Sequence, residues 1–223
     1  MKAQHARGFK QAWRWGAVLI LGIGYSVLAH LAAASAAPDS LDALVAIVPL
    51  LGLAFAIVWR SSQRTALLAL WLAACAGLYG ASAWLVAHYN WVFLLQHAGV
   101  YALLCMAFGR TLRLGRTPMV TGLARIVHRT LSPALIGYTR SVTWAWTLYF
   151  GCISGLSLLL FWLAPIAVWS AFANLLGIPL LVLMFVGEYT VRCCVLPASD
   201  RAGPLDAIRA YRQAASSGTA RQP

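Results

Sequence analysis

Six arginines, Arg110, Arg113, Arg116, Arg125, Arg129 and Arg140, fall between positions 110 and 140 with His128 among them, and that interval holds no Asp or Glu. A forked guanidinium can donate two parallel hydrogen bonds to a phosphate or carboxylate, so this residue type at this density suits the holding of an anion. Arginine is used throughout, with no lysine after Lys10. Farther along, Glu188 and Arg192 stand four residues apart, the spacing of an ion pair on one helix face; the alternative is a carboxylate that handles protons or binds substrate. Asn174 lies about one turn before Pro179, whose ring frees a carbonyl and predicts a kink, with either plain packing or a water-accessible pocket beside it. His30 and His97, with His88 and Gln96 nearby, are imidazole-bearing positions of the sort that hold a metal, haem or quinone, but no spacing within one helix enforces a ligand set. The sequence carries no Ser/His/Asp or Cys/His constellation, no Walker or dinucleotide motif and no paired carboxylates in a span, so no catalytic residue, cofactor or metal is assigned.

The elements that must position these groups are apolar helices. The 223 residues are 61% hydrophobic and 10% charged with mean hydropathy +0.76, a composition of polytopic membrane proteins. A net charge of +12 raises nucleic acid as a partner, but a soluble basic face is missing; the positive residues are beads between apolar runs. Cys75, Cys105, Cys152, Cys193 and Cys194 show neither metal-ligand spacing nor a disulfide framework.

Apolar runs predict six spans, at about 16–36, 41–59, 65–87, 91–109, 142–163 and 168–191, within one membrane domain covering 1–197. Residues 198–223 read as a cytoplasmic, disordered tail. Trp13 and Trp15 anchor the first span, Trp144 and Trp146 read as belt residues of the fifth, and His30 and His97 fall at similar depth in the outer halves of spans one and four. The first span resembles a signal peptide with an A-x-A site at Ala34 and Ala36, but its apolar run is longer than a typical h-region. Placing the N-terminus in the cytoplasm puts all seventeen Lys and Arg in the termini and the two inner loops, leaving Asp39, Asp42 and His88 for the outer turns. Small residues recur at fourth-residue spacing as Ala73, Gly77 and Ala81 and as Gly151 and Gly155, faces that let helices approach closely.

Between spans four and five, Thr117 and Pro118 form a helix start, with a side-chain oxygen at the N-cap and a ring at the first position. Stepping 100° per residue gathers Met119, Val120, Leu123, Ile126 and Val127 on one face, with Thr121, Arg125, His128 and Arg129 opposite. So short a helix needs a surface for its apolar face, and the nearest is the inner leaflet. The fold expected is all-α: a six-helix transmembrane bundle with an amphipathic interfacial helix. Its arginines then either set topology and grip phospholipid phosphates, or dock an anionic partner such as a phosphorylated lipid intermediate or an acidic carrier protein.

The runs Gly115-Arg116-Thr117-Pro118, Ala124-Arg125-Ile126-Val127-His128, Tyr138-Thr139-Arg140 with Val142-Thr143-Trp144-Ala145-Trp146, Trp169-Ser170-Ala171-Phe172-Ala173-Asn174 and Glu188-Tyr189 resemble an uncharacterised family of bacterial inner-membrane proteins. Its genes lie beside fatty-acid-synthase-like clusters that make aryl polyene pigment lipids. The resemblance covers about 109–197. Members are sometimes labelled ketosynthase from gene neighbourhood, yet this chain lacks a soluble thiolase-like domain. The resemblance implies that context and supplies no catalytic residues; the function expected is a non-enzymatic helper in assembly or handover of a lipid-like product, with membrane phospholipids and an acidic acyl carrier protein or synthase components as partners. The alternatives are a transporter or flippase of that product, lined by Asn174, Pro179 and Glu188, and a membrane acyltransferase or redox protein using His30 and His97.

Overall fold

Hydrocarbon offers no hydrogen-bonding partner, so a chain that stays in it must satisfy its backbone locally, and this one does so with helices. The computed structural model of the protein describes residues 2–35, 39–127 and 131–197. His128, Arg129 and the 198–223 tail lie outside them. The order is α1 (Lys2–Ala33), α2 (Ser40–Arg60), α3 (Arg64–Gly80), α4 (Ser82–Thr111), α5 (Met119–Val127), α6 (Pro133–Leu163), α7 (Ile166–Ser170) and α8 (Gly177–Val195), with a π-helical segment Ala171–Leu176 joining the last two. Five stretches are long and apolar enough to cross a membrane: Gly16–Ala33, Ser40–Arg60, Ser82–Thr111, Pro133–Leu163 and Ile166–Val195. They mark a multi-pass helical membrane protein. α3 is apolar but has 17 residues, short of the ~20 that cross ~30 Å of hydrocarbon.

Local chemistry sets the helix ends. Asp39 and Asp42 form a capping box: the Leu41 and Asp42 N–H groups donate to Asp39 Oδ1 at 2.8 and 3.0 Å, and the Asp39 N–H donates to Asp42 Oδ2 at 3.3 Å. Ser132 accepts from the Leu135 N–H at 3.1 Å, and Pro133 opens α6 where its missing N–H costs nothing. Two expected boundaries move. The 65–87 span is interrupted at Ala81, beside the weak helix formers Gly77, Gly80 and Ser82, and the turn expected at 88–90 is one non-helical residue, His88 (φ −128°, ψ 17°). The His88 ring stacks on Trp84 at 4.7 Å, and its Nδ1 bonds the Trp84 carbonyl at 2.9 Å. α6 begins at Pro133 rather than 142, because Ser132 and Pro133 start the helix before the apolar run does.

Contacts divide the chain into two compact units, Met1–His97 with Ser157–Gly177, and Ala98–Leu156 with Ile178–Pro223. In the first, α1 packs on α2, and Ala29, Ala32 and Ala33 of α1 and Ala43 and Ala46 of α2 are all buried. Pro49 in α2 has no N–H for the Val45 carbonyl, and Tyr25 of α1 donates to that oxygen at 3.4 Å. One residue on, the Ala46 carbonyl accepts from Gln96 Nε2. α2 and α3 are joined by Trp71 Nε1 donating to Leu51 O at 3.1 Å, with Phe55 packed on Trp71.

The second unit is built on Val142, Trp146 and Phe150 of α6, packed by Tyr101, Phe108, Val120, Leu181 and Met184 among others. Trp146 is therefore a core residue, 7% exposed, whereas Trp144 two positions earlier is 50% exposed. The two indoles, read together as belt residues, point 200° apart on a helix and only one reaches the surface. α4 and α6 approach where a Cβ on Gly151 would meet Cys105 Sγ at 3.3 Å, and one on Gly109 would meet Thr147 Cγ2 at 3.4 Å. Gly155 and Gly77 have nothing within 4 Å, so of the two small-residue faces only the Gly151 position serves a close approach within its unit.

Gly151→Val should destabilise the purified protein by about 1–3 kcal/mol, with part of the loss restored by Cys105→Ala, whereas Gly155→Val should have little effect. Thermal unfolding in detergent measures all three, and equal loss at both glycines would contradict the packing.

Candidate functional site

The arginine-rich segment is tied down at each end of α5. After α4 the chain makes a turn in which the Arg116 N–H donates to Arg113 O at 3.2 Å, and Gly115 sits at φ +79°, a left-handed conformation that glycine adopts without strain. Leu114 stands at the tip, 96% exposed. The first N–H groups of α5 are taken up by distant hydroxyls: Met119 N–H donates to Thr111 Oγ1 at 2.9 Å and Val120 N–H to Thr143 Oγ1 at 3.3 Å. Thr117 is not the cap that the sequence predicts. Pro118 supplies the first helical carbonyl, to the Gly122 N–H at 2.9 Å, so Thr117 lies one residue too early and its hydroxyl accepts from Arg125 Nη1 at 3.4 Å.

One position of the two-faced helix is revised. Thr121, placed on the polar face, is fully buried with its Oγ1 2.8 Å from Thr139 Oγ1. Thr139 donates its own proton to Leu135 O at 2.9 Å, so Thr121 is the donor between them. Val120 joins the apolar core, while Leu123 and Ile126 are exposed. Helical periodicity cannot tell a threonine facing another helix from one facing water; a buried hydroxyl with a partner is as stable as an exposed one. Arg110, Arg113, Arg116, Arg125 and Arg140 are all exposed, and Arg140 Nη2 donates to Leu112 O at 3.5 Å.

On α8, Glu188 and Arg192 make the expected i,i+4 pair, with Nη2 and Nε donating to Oε1 at 2.7 and 3.0 Å. Tyr138 of α6 joins them, its hydroxyl 3.0 Å from Glu188 Oε1 and 3.1 Å from Glu188 O. Two residues from two helices, Arg192 and Tyr138, thus share one carboxylate, which keeps a charge tolerable in an apolar stretch.

In the first unit the histidines are brought to two serines. Ser170 Oγ lies 2.9 Å from His30 Nδ1, donates to His30 O at 3.2 Å and accepts from Asn174 Nδ2 at 3.2 Å. A hydroxyl has one proton, here spent on the carbonyl, so His30 must carry its proton on Nδ1. Ser157 accepts from Trp169 Nε1 at 3.1 Å and lies 3.0 Å from His97 Nδ1. The His97 ring meets Phe172 edge-on at 5.6 Å. Ser157, Trp169 and Ser170 are completely buried.

Asn174, expected near a kink, sits in the π-helical segment, a wide turn that often accompanies function. Its amide is used within the network. Among the described residues no group of three His, Cys, Asp or Glu is placed to hold a metal. Ser157 was not singled out from the sequence, and Trp169, Ser170, Thr139 and Thr143 entered only as part of the family resemblance, with no polar role assigned. The one signal for them is that hydroxyls in apolar helices need partners, and His30 and His97 are the partners in reach.

Glu188→Ala and Arg192→Met should each cost about 2–3 kcal/mol, because each strands the other charge, and the double replacement should cost less than either alone. A double-mutant cycle of thermal unfolding in detergent checks this; additive losses would show that the pair is not coupled. No family model, curated protein sequence or solved structure matches the chain.

Proposed function

We propose that the chain is a six-span protein of a bacterial inner membrane, with α3 as the short span, both termini in the cytoplasm and α5 lying at the inner surface. In this reading it is a non-enzymatic helper in the assembly or handover of a lipid-like product of the aryl-polyene or fatty-acid type. Its basic segment from Arg110 to Arg140 is the contact for an anionic partner, either a phosphorylated lipid intermediate or an acidic acyl carrier protein. The observation that carries the reading is that Arg110, Arg113, Arg116, Arg125 and Arg140 are exposed on a folded segment without a carboxylate, between two membrane-length helices. Positive charge of this density attracts phosphate and acidic protein surfaces. Thr111, Thr121, Thr139 and Thr143 support it further, since they fix the segment to α4 and α6.

A second reading, as a transporter or flippase of the same product, is favoured by the π-helical interruption of Ile166–Val195 at Asn174. Loss of the product in a deletion strain favours the helper, and product trapped in the inner membrane favours the transporter.

Charge reversal of Arg113, Arg116 and Arg125 to Glu should abolish product formation and recovery of a carrier-protein partner while the protein still inserts. Product formation and pull-down both unchanged in an inserted variant would overturn the reading.

A further inference from the structure

Arg113 and Arg116 are the first and last residues of one tight turn, closed by the 3.2 Å bond between their backbone groups. That geometry holds their Cα atoms within about 7 Å. Arg125 is brought to the same place from α5 by its 3.4 Å hydrogen bond to Thr117, the residue next to Arg116. Three exposed guanidinium groups thus share one small surface with no carboxylate between 110 and 140 to neutralise them. Such a cluster repels itself and is relieved by one multiply charged anion. The turn that gathers the arginines also presents Leu114 at its tip, and α5 exposes Leu123 and Ile126 on either side of Arg125. Aliphatic side chains beside the arginines are costly in water and favourable against acyl chains.

From this juxtaposition we propose that Arg113, Arg116 and Arg125 form a binding site for the head group of a lipid phosphomonoester, with Leu114, Leu123 and Ile126 against its acyl chains. The proposal rests on the reading of the basic segment as an anion contact and names the anion. A phosphomonoester carries about −1.5 to −2 charges at neutral pH, against one for a phosphodiester such as phosphatidylglycerol or the arm of a carrier protein. Three guanidinium groups match the former better. The apolar neighbours favour a lipid over soluble phosphate.

The test is equilibrium binding of radiolabelled dioctanoyl phosphatidic acid to the purified full-length chain in neutral detergent. Competitors are unlabelled dioctanoyl phosphatidic acid, dioctanoyl phosphatidylglycerol, inorganic phosphate and a holo acyl carrier protein. Phosphatidic acid should compete at about a tenfold lower concentration than phosphatidylglycerol, a difference set by the extra charge-assisted bonds, and inorganic phosphate should compete weakly. The triple substitution Arg113→Gln, Arg116→Gln, Arg125→Gln should erase the preference, while Arg60→Gln with Arg64→Gln should keep it; unchanged thermal midpoints show that both variants are folded. Equal competition by the two lipids, or a preference surviving the triple substitution, overturns the site. Inorganic phosphate competing as well as lipid would make it a free-phosphate site, and the carrier protein competing best would make it a protein contact; either result overturns the lipid assignment. Failure here with product formation still lost on charge reversal would leave the helper reading standing without its lipid ligand.

Discussion

A polar group inside hydrocarbon must find its partner within the chain, and most features of this structure follow from that constraint. Regular helix meets it for most of the backbone. Where the sequence breaks the helix, a side chain from a neighbouring helix meets it instead. Pro49 frees the Val45 carbonyl and Tyr25 takes it; His88 leaves the helix and its own ring bonds the Trp84 carbonyl. Ser157 and Ser170 are buried because His97, Trp169, His30 and Asn174 spend their hydrogen bonds on them. These bonds tie α1, α4, α6 and the π-helical segment together in one unit, at a strength of roughly 1 kcal/mol each in membrane proteins.

The same constraint shapes the basic segment from the other direction. α6 has 31 residues and is about 46 Å long, more than hydrocarbon alone requires, and its first turns carry the threonines that hold α5. The cap hydroxyls for α5 come from Thr111 and Thr143, so its position is fixed by tertiary contacts and not by its own nine residues. Fixing a short helix in this way holds its backbone in place, and under the proposed function that lowers the ordering cost of binding. The exposed arginines of this segment contrast with Arg192, whose charge is matched by Glu188.

Helix content and the five long apolar stretches were legible because hydropathy is local, but the start of α6 at Pro133, ahead of its apolar run, was not. Partnerships were less so. Glu188 and Arg192 could be paired by spacing, but Tyr138 lies fifty positions away from Glu188 and nothing local announces it. Trp146 has the same composition signal as Trp144 yet lies in the core, since the direction of a side chain relative to neighbouring helices is set by packing. Thr117 is a good cap by type, but Pro118 took the position that decides which hydroxyl can reach. His30 and His97 were rightly singled out as intramembrane polar residues, and their serine partners became visible only in three dimensions.

In the proposed topology the turn carrying Arg113 to Arg116 faces the cytoplasm at the end of a membrane-crossing helix. Labelling of single cysteines in a variant lacking the five native ones tests it most directly, with Leu114→Cys at the exposed tip and Ser40→Cys at the start of α2. A membrane-impermeant maleimide should modify Ser40→Cys in intact cells stripped of their outer layer and Leu114→Cys only in inverted membrane vesicles. Modification of Leu114→Cys from the outside, or of both positions from the same side, would contradict the topology on which the account stands.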